Sequence, residues 1–110
     1  LAENYLHILK EEIGKLNPAE KDELLANLRN EIDRTDAAII ELLMKRIELS
    51  IEIGSIKSSI GLNTYNARRE KEIDNNIDKL AGNPALRKHL KRIYERIIDE
   101  SRAIQREREK

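Results

Sequence analysis

The sequence predicts an all-α domain, and three observations carry that prediction. Apolar residues recur at steps of three and four through most of the chain, the spacing of one buried face on a helix. Residues that break helices are few, and they fall in short clusters beside capping residues. No stretch carries the signals of a strand. The longest stripe starts at Leu25 and continues through Leu28, Ile32, Thr35, Ile39, Leu42, Arg46, Leu49, Ile53, Ile56 and Ile60. Thr35 is a mild exception within it and Arg46 a severe one. A charge in a buried seam is costly unless it is paired or meets an anion. Arg46 therefore predicts a negative partner, either a protein carboxylate or a bound anionic ligand.

The elements follow in order. Residues Ala2 to Leu16 align Tyr5, Leu6, Leu9, Ile13 and Leu16, which predicts a short amphipathic helix, a linker or a docking element. Asn17-Pro18-Ala19-Glu20 reads as an N-cap, a first-turn proline and a capping-box glutamate. Residues 1–16 thus precede a main domain at 17–110. The helix beginning at Pro18 meets no strong stop before Gly61-Leu62-Asn63-Thr64. Gly54 inside it costs about 1 kcal/mol relative to Ala, which close approach of another helix or a ligand would explain. From Pro18 to Ile60 this helix would span roughly 64 Å, whereas a domain of this size has a radius of gyration of about 13 Å. Either the helix bends back at a break, or a second subunit covers it; a dimer is the favoured expectation. A second helix is predicted from about Ala67 to Leu80, with Glu70, Ile73, Ile77 and Leu80 in its stripe. Gly82-Asn83-Pro84 repeats the stop and start, with Asn83 as cap. The third helix runs from Pro84 nearly to the C-terminus through Leu86, Leu90, Ile93, Ile97, Ser101 and Ile104, with Gln105 beside them.

Composition removes several function classes. The 110 residues suit one domain. There is no Cys, which excludes disulfides and thiolate metal sites, and the two histidines, His7 and His89, lack ligand spacing. No metal is expected. Lys and Arg number 21, as do Asp and Glu, so no bulk electrostatic grip on nucleic acid or membrane is expected. Trp and Phe are absent and Tyr occurs three times, which leaves little for base stacking. Arg87, Lys88, Lys91 and Arg92 read as a solvated helix face. No apolar run approaches the roughly 20 residues of a membrane span, and no signal peptide is visible. A cytoplasmic location is the default. The chain begins with Leu1 rather than Met, which is compatible with excision from a longer protein.

Each main helix carries polar groups where apolar ones were due: Arg46 in the first, Glu70 in the second, Ser101 and Gln105 in the third. Lys57 follows Arg46 by almost three full turns, sharing its face within roughly 20° at a Cα separation of about 16 Å. Two long side chains leaning together could grip a small molecule between facing helices. Arg29 lies about 25 Å before Arg46 and points roughly 100° away from it. It could reach the same pocket from a second chain in an antiparallel dimer. Each residue also has a plainer reading. Arg46 and Glu70 suit an inter-helix salt bridge, Lys57 a snorkelling surface lysine, and Ser101 a bond back to its own helix. Gln105 suits a solvated position near a terminus, and Arg29, Arg68 and Arg69 suit an ordinary helix surface.

Taken together these residues resemble the all-helical, AroQ-class chorismate mutases. The resemblance rests on Leu28-Arg29-Asn30-Glu31-Ile32-Asp33 with Asp36, on Arg46 and Glu48-Leu49, and on Ile53-Gly54 and Lys57. It continues through Asn66 and Arg68-Arg69-Glu70 to Ile98-Asp99-Glu100-Ser101 and Gln105. It covers roughly Leu25 to the C-terminus. The resemblance implies an intertwined homodimer of three-helix subunits whose two pockets are each built from both chains. It implies rearrangement of chorismate to prephenate, a Claisen-type shift on the way to Phe and Tyr, with no cofactor, metal or covalent intermediate. By resemblance, Arg46 and the partner chain's Arg29 would bind the substrate carboxylates with help from Ser101. Lys57 and Gln105 would donate to the ether oxygen, Glu70 would hold the ring hydroxyl, and Arg69 would line the pocket. The family often carries Asp where Asn66 stands, which leaves the side-chain role of Asn66 open.

The residue types suit that chemistry. A pericyclic shift needs no nucleophile and no proton transfer, but a folded substrate and donors aimed at the oxygen that gains charge. Two neighbouring readings accompany it. Isochorismate-pyruvate lyase shares the fold and a similar pocket, although Glu70 suits a hydroxyl at the chorismate position. A non-catalytic helical dimerisation or regulatory module is the other. Family members also occur fused to other aromatic-pathway enzymes, and the stretch before Asn17 is compatible with an upstream fusion.

Overall fold

The structure, a computed structural model, describes residues 10–108. Its elements are α1 (Pro18–Ser59), α2 (Ala67–Leu80) and α3 (Pro84–Arg108), and the described residues contain no strand. The chain divides into two compact units, Leu1–Leu42 and Leu43–Lys110. Of the amphipathic stretch expected before Asn17, residues 10–14 are helical, and the first nine residues lie outside the described part. No described helix is long and apolar enough to cross a membrane.

In the first unit, α1 starts on a complete capping box. The amide of Glu20 donates to Asn17 Oδ1 at 2.8 Å, and the amide of Asn17 donates to Glu20 Oε1 at 3.0 Å. Two otherwise orphaned donors are thereby satisfied. Thr35 is tolerated because its hydroxyl donates to the Glu31 carbonyl, one turn back, at 2.8 Å. The apolar stripe of this unit is open: Leu25, Leu28, Ile32, Ile39 and Leu42 are exposed, Leu42 by 67%.

In the second unit, the remainder of α1, α2 and α3 form the packed part of the chain. Here α1 ends in a Schellman turn. Gly61 adopts φ +72°, the amide of Leu62 donates to the Lys57 carbonyl at 2.7 Å, and that of Gly61 to the Ser58 carbonyl at 3.3 Å. A left-handed residue is required there, and glycine adopts that conformation without a Cβ clash. Helix α2 begins on Asn66, whose Oδ1 accepts from the Arg69 amide at 3.0 Å. Helix α3 begins on Asn83, whose Oδ1 accepts from the Ala85 amide at 2.9 Å. Between them, Arg87 Nε donates to the Ala81 carbonyl at 2.8 Å. Lys91 reaches across from α3 to Asp74 (3.2 Å) and Asp78 (3.0 Å) of α2. Hydrogen bonds that it donates to Asp78 first, then Asp74, hold its pKa above the ordinary lysine value. On the face expected to be solvated, Lys91 thus also ties α3 to α2, and Arg87 ties α3 to the C-cap of α2.

The face of α1 turned toward α3 takes in part of the stripe that periodicity selects, Arg46 with Leu49 and Ile53, but its most buried positions lie beside that stripe. Ser50 and Gly54 are the buried residues of α1, with Arg46, Ile47, Ile51 and Lys57 half-buried alongside. The stripe residues Leu49, Ile53, Ile56 and Ile60 stay exposed, Ile56 by 61%. Leu80, Leu86 and Ile93, expected in the stripes of the other two helices, are exposed as well. Ser50 and Gly54 let α3 come close, as a Cβ on Gly54 would stand 2.8 Å from Gln105 Cγ. Ile77, at 8% exposure, is the buried hydrophobic residue among those described. Among the described residues little apolar surface is buried, and a broad apolar area stays uncovered.

Candidate active site

The Schellman turn and the two caps decide where the polar side chains of the second unit meet. Because the turn after α1 folds the chain back at Gly61, the Thr64 carbonyl comes within 3.1 Å of Lys57 Nζ and accepts from it. One N–H of an ammonium is thus committed, and two remain. Asn66 then starts α2 so that Arg69 and Glu70 fall in its first turn. Helix α3 supplies Ser101, Arg102 and Gln105. Together with Arg46 and Lys57 these groups line a cavity of about 240 Å³, whose apolar walls include Leu49, Ile53, Ile73 and Ile98.

Arg46, half-buried, donates from Nη1 to Ser101 Oγ at 2.8 Å, and that hydroxyl donates to the Ile97 carbonyl at 2.8 Å. The serine bonds back to its own helix, as its plainer reading expects, and it also accepts from the arginine facing it. The inter-helix salt bridge between Arg46 and Glu70 does not form. Glu70 pairs with Arg102 instead, at 3.2 Å. Among the described residues no carboxylate lies within ion-pair distance of Arg46 or Lys57. Arg69 does have one, Glu72, at 3.1 Å. The cavity therefore presents two cations not offset by protein carboxylates, Arg46 and Lys57, with the carboxylate of Glu70 also on its wall.

Gln105 is buried, with 6% exposure. Its Nε2 donates to the Ser50 carbonyl at 2.7 Å and contacts Ser50 Oγ at 3.0 Å. Its Oε1 is buried with no protein partner. The solvated position suggested for it by nearness to the terminus is thus corrected, because α1 packs over that part of α3. Gly54 permits this packing, as its missing Cβ would stand 2.8 Å from Gln105 Cγ.

Of the residues singled out by sequence, the structure brings Arg46, Lys57, Asn66, Arg69, Glu70, Ser101 and Gln105 together around one cavity. Arg29 belongs to the first unit, where it is exposed on α1. Asn66 contributes its side chain as a helix cap, a role in which Asn and Asp serve about equally well. Sequence reasoning missed Ser50 and Arg102. Ser50 lies four residues before Gly54 on the small-residue face, a signal that could have found it. Arg102 had no such signal, since its partner Glu70 is 32 residues away.

The polar set and its order along the helices agree with a match to a known family. Residues 28–106 match chorismate mutase type II. The chain belongs to that family. A chorismate mutase of Methanocaldococcus jannaschii is 29% identical over 86 residues, which cover 77% of this chain and 87% of that protein. The T-protein of Enterobacter agglomerans is 48% identical over 46 residues, or 42% of this chain and 12% of that protein. The bifunctional chorismate mutase/prephenate dehydratase of Aquifex aeolicus is 45% identical over 58 residues, or 53% of this chain and 16% of that protein. The mutase family match thus extends over most of the chain, which itself corresponds to a small part of the two longer relatives.

Proposed function

We propose that this chain catalyses the rearrangement of chorismate to prephenate in the cytoplasm, as a homodimer with shared active sites, without cofactor or covalent intermediate. The observation that carries the proposal is the pair Arg46 and Lys57, two cations without protein carboxylates, facing a cavity that also holds Glu70 and Gln105. Chorismate is a dianion with a ring hydroxyl and an ether oxygen. Arg46 binds a carboxylate, with Ser101 as its support. Lys57 donates to the ether oxygen with an N–H left over from its bond to Thr64. Gln105, whose Nε2 bonds Ser50 in the free chain, turns an N–H toward the same ether oxygen when substrate is bound. Glu70 accepts from the ring hydroxyl, Arg69 lines the cavity, and Asn66 fixes the start of the helix that carries both.

No proton need move in this scheme. The bond between the ether oxygen and carbon breaks while a new carbon–carbon bond forms, and charge grows on the oxygen between the two donors. A million-fold acceleration needs about 8 kcal/mol of transition-state preference. Charge-assisted hydrogen bonds contribute about 1.5–3 kcal/mol each, so a few realised mainly in the transition state suffice.

A second copy of the chain is the proposed cover for the exposed stripe of α1, and it would bring its Arg29 to the other substrate carboxylate. The exposure of Leu28, Ile32, Leu42, Leu49, Ile53 and Ile56 supports this reading. We read residues 17–110 as the catalytic domain and 1–16 as a preceding linker or docking element. The T-protein and the Aquifex aeolicus bifunctional enzyme favour a larger aromatic-pathway protein as its setting. Loss of chorismate absorbance on mixing with the protein tests the activity. An isochorismate assay run beside it separates mutase from lyase chemistry. No acceleration over buffer by folded protein would sink the proposal.

A further inference from the structure

Arg102 is not among the groups assigned to the substrate above, yet it is the most heavily engaged cation of the cavity. It is 22% exposed. Its Nη1 stands 3.2 Å from Glu70 Oε1 and 3.4 Å from Oε2, straddling the carboxylate with one nitrogen. Its Nη2 donates to Asp99 Oδ1 at 2.8 Å. Its guanidinium lies over the Tyr65 ring, 5.2 Å from the centroid, within cation–π range. Arg102 and Asp99 come from α3, Glu70 from α2, and Tyr65 from the connection before it. The guanidinium is therefore held from three sides, and Glu70 is held by it.

Resting on the mutase reading, we propose that Arg102 is a positioning residue that keeps Glu70 from neutralising Arg46. Glu70 and Arg46 line the same cavity, and no other described carboxylate is on its wall. A glutamate without a fixed partner beside a half-buried arginine would move to pair with it, since each offsets the other's desolvation. That pairing would remove the charge that binds the substrate carboxylate. Arg102 prevents it by offering Glu70 a nearer cation that is itself anchored by Asp99 and Tyr65. Because Nη1 straddles the carboxylate, lone pairs on both oxygens remain for a hydroxyl in the cavity.

The test is a comparison of KM and kcat for chorismate in Arg102→Gln, Glu70→Gln and the double variant. Arg102→Gln should raise KM about tenfold, within the coupling range of contacting residues, with a smaller change in kcat. Adding Glu70→Gln should bring KM back down toward that of Glu70→Gln alone, because no carboxylate is left to quench Arg46. Arg102→Lys should restore KM to within about threefold of the parent, as a nearby cation still attracts Glu70. If Arg102→Gln fails to fold, Arg102→Met keeps the stem over Tyr65 and carries the same comparison. An unchanged KM in Arg102→Gln overturns the inference. So does a KM in the double variant higher than in either single one, which would mean that Arg102 binds the substrate itself. If the parent protein neither turns over chorismate nor binds a bicyclic dicarboxylate mimic of the transition state, the mutase reading has failed instead.

Discussion

Gly54 and Gln105 stand so close that a Cβ on the glycine would lie 2.8 Å from Cγ, 3.2 Å from Cβ and 3.3 Å from Cδ of the glutamine. The contact falls on the middle of a side chain whose amide is tied to Ser50, so the glutamine cannot swing aside and keep its bonds. Gly54→Ala should therefore act on Gln105. Overpacking of this kind costs about 1–3 kcal/mol, offset in part by about 1 kcal/mol of better helix propensity. Displacing a donor by about 1 Å can reduce turnover about 100-fold. The expected result is a folded variant with slightly lowered Tm and strongly lowered kcat, read by thermal melting and a chorismate assay.

Lys57 should matter to turnover far more than a cation of similar sequence character outside the cavity. Loss of a donor to a developing oxyanion costs about 100- to 1000-fold in kcat. Lys57→Ala is expected in that range, and Arg108→Ala, exposed at the end of α3, within about twofold of the parent. Equal effects in steady-state kinetics would count against the assigned cavity.

Shared sites can be tested by mixing. Arg29→Ala and Arg46→Ala should each be nearly inactive alone. In a heterodimer with two isologous sites, one site carries both defects and the other none. Unfolding and refolding an equimolar mixture should regain about one quarter of the parent activity, because half the dimers are mixed and half their sites intact. No recovery, in a mixture whose heterodimers are demonstrated by mass spectrometry, would mean that Arg29 serves no site across the interface.

The bridge from Lys91 to Asp74 and Asp78 joins α2 to α3 beside the cavity, yet it is solvated and should contribute modestly. Its pH dependence has a definite sign. The lysine value is raised in the folded chain, so its contribution is fully present below the unfolded lysine value and lost as pH rises through the folded one. Lys91→Met should lower Tm slightly across the neutral range, and the gap from the parent should close only at strongly alkaline pH. Turnover of chorismate should be unaffected at neutral pH.

Local features of this fold are legible in the order of residues. Asn17 with Glu20, Gly61 and Asn83 mark helix ends because capping depends on residues within one turn of each other. Gly54 signals a close approach for a similar reason, since a helix interior rarely places glycine without a steric cause. The site is legible in part. Arg46 can be recognised as a charge awaiting an anion, but spacing does not choose between Glu70 and a ligand. The structure removes Glu70 by giving it to Arg102, and the distance between those two positions in the chain hides that pairing from any periodicity.

By itself, then, the sequence determined the helices, their caps, the polar residues on their inner faces and the family to which the chain belongs. These follow from interactions between near neighbours and from the order of residue types. Only the tertiary structure decided which face of α1 meets α3, because a period of 3.6 locates an apolar stripe but not what covers it. Small residues at Ser50 and Gly54 permitted the close approach of α3, so the most buried positions of α1 fall beside the apolar stripe rather than on it. The same packing seated Gln105 in the interior and left Arg46 facing a cavity rather than a carboxylate.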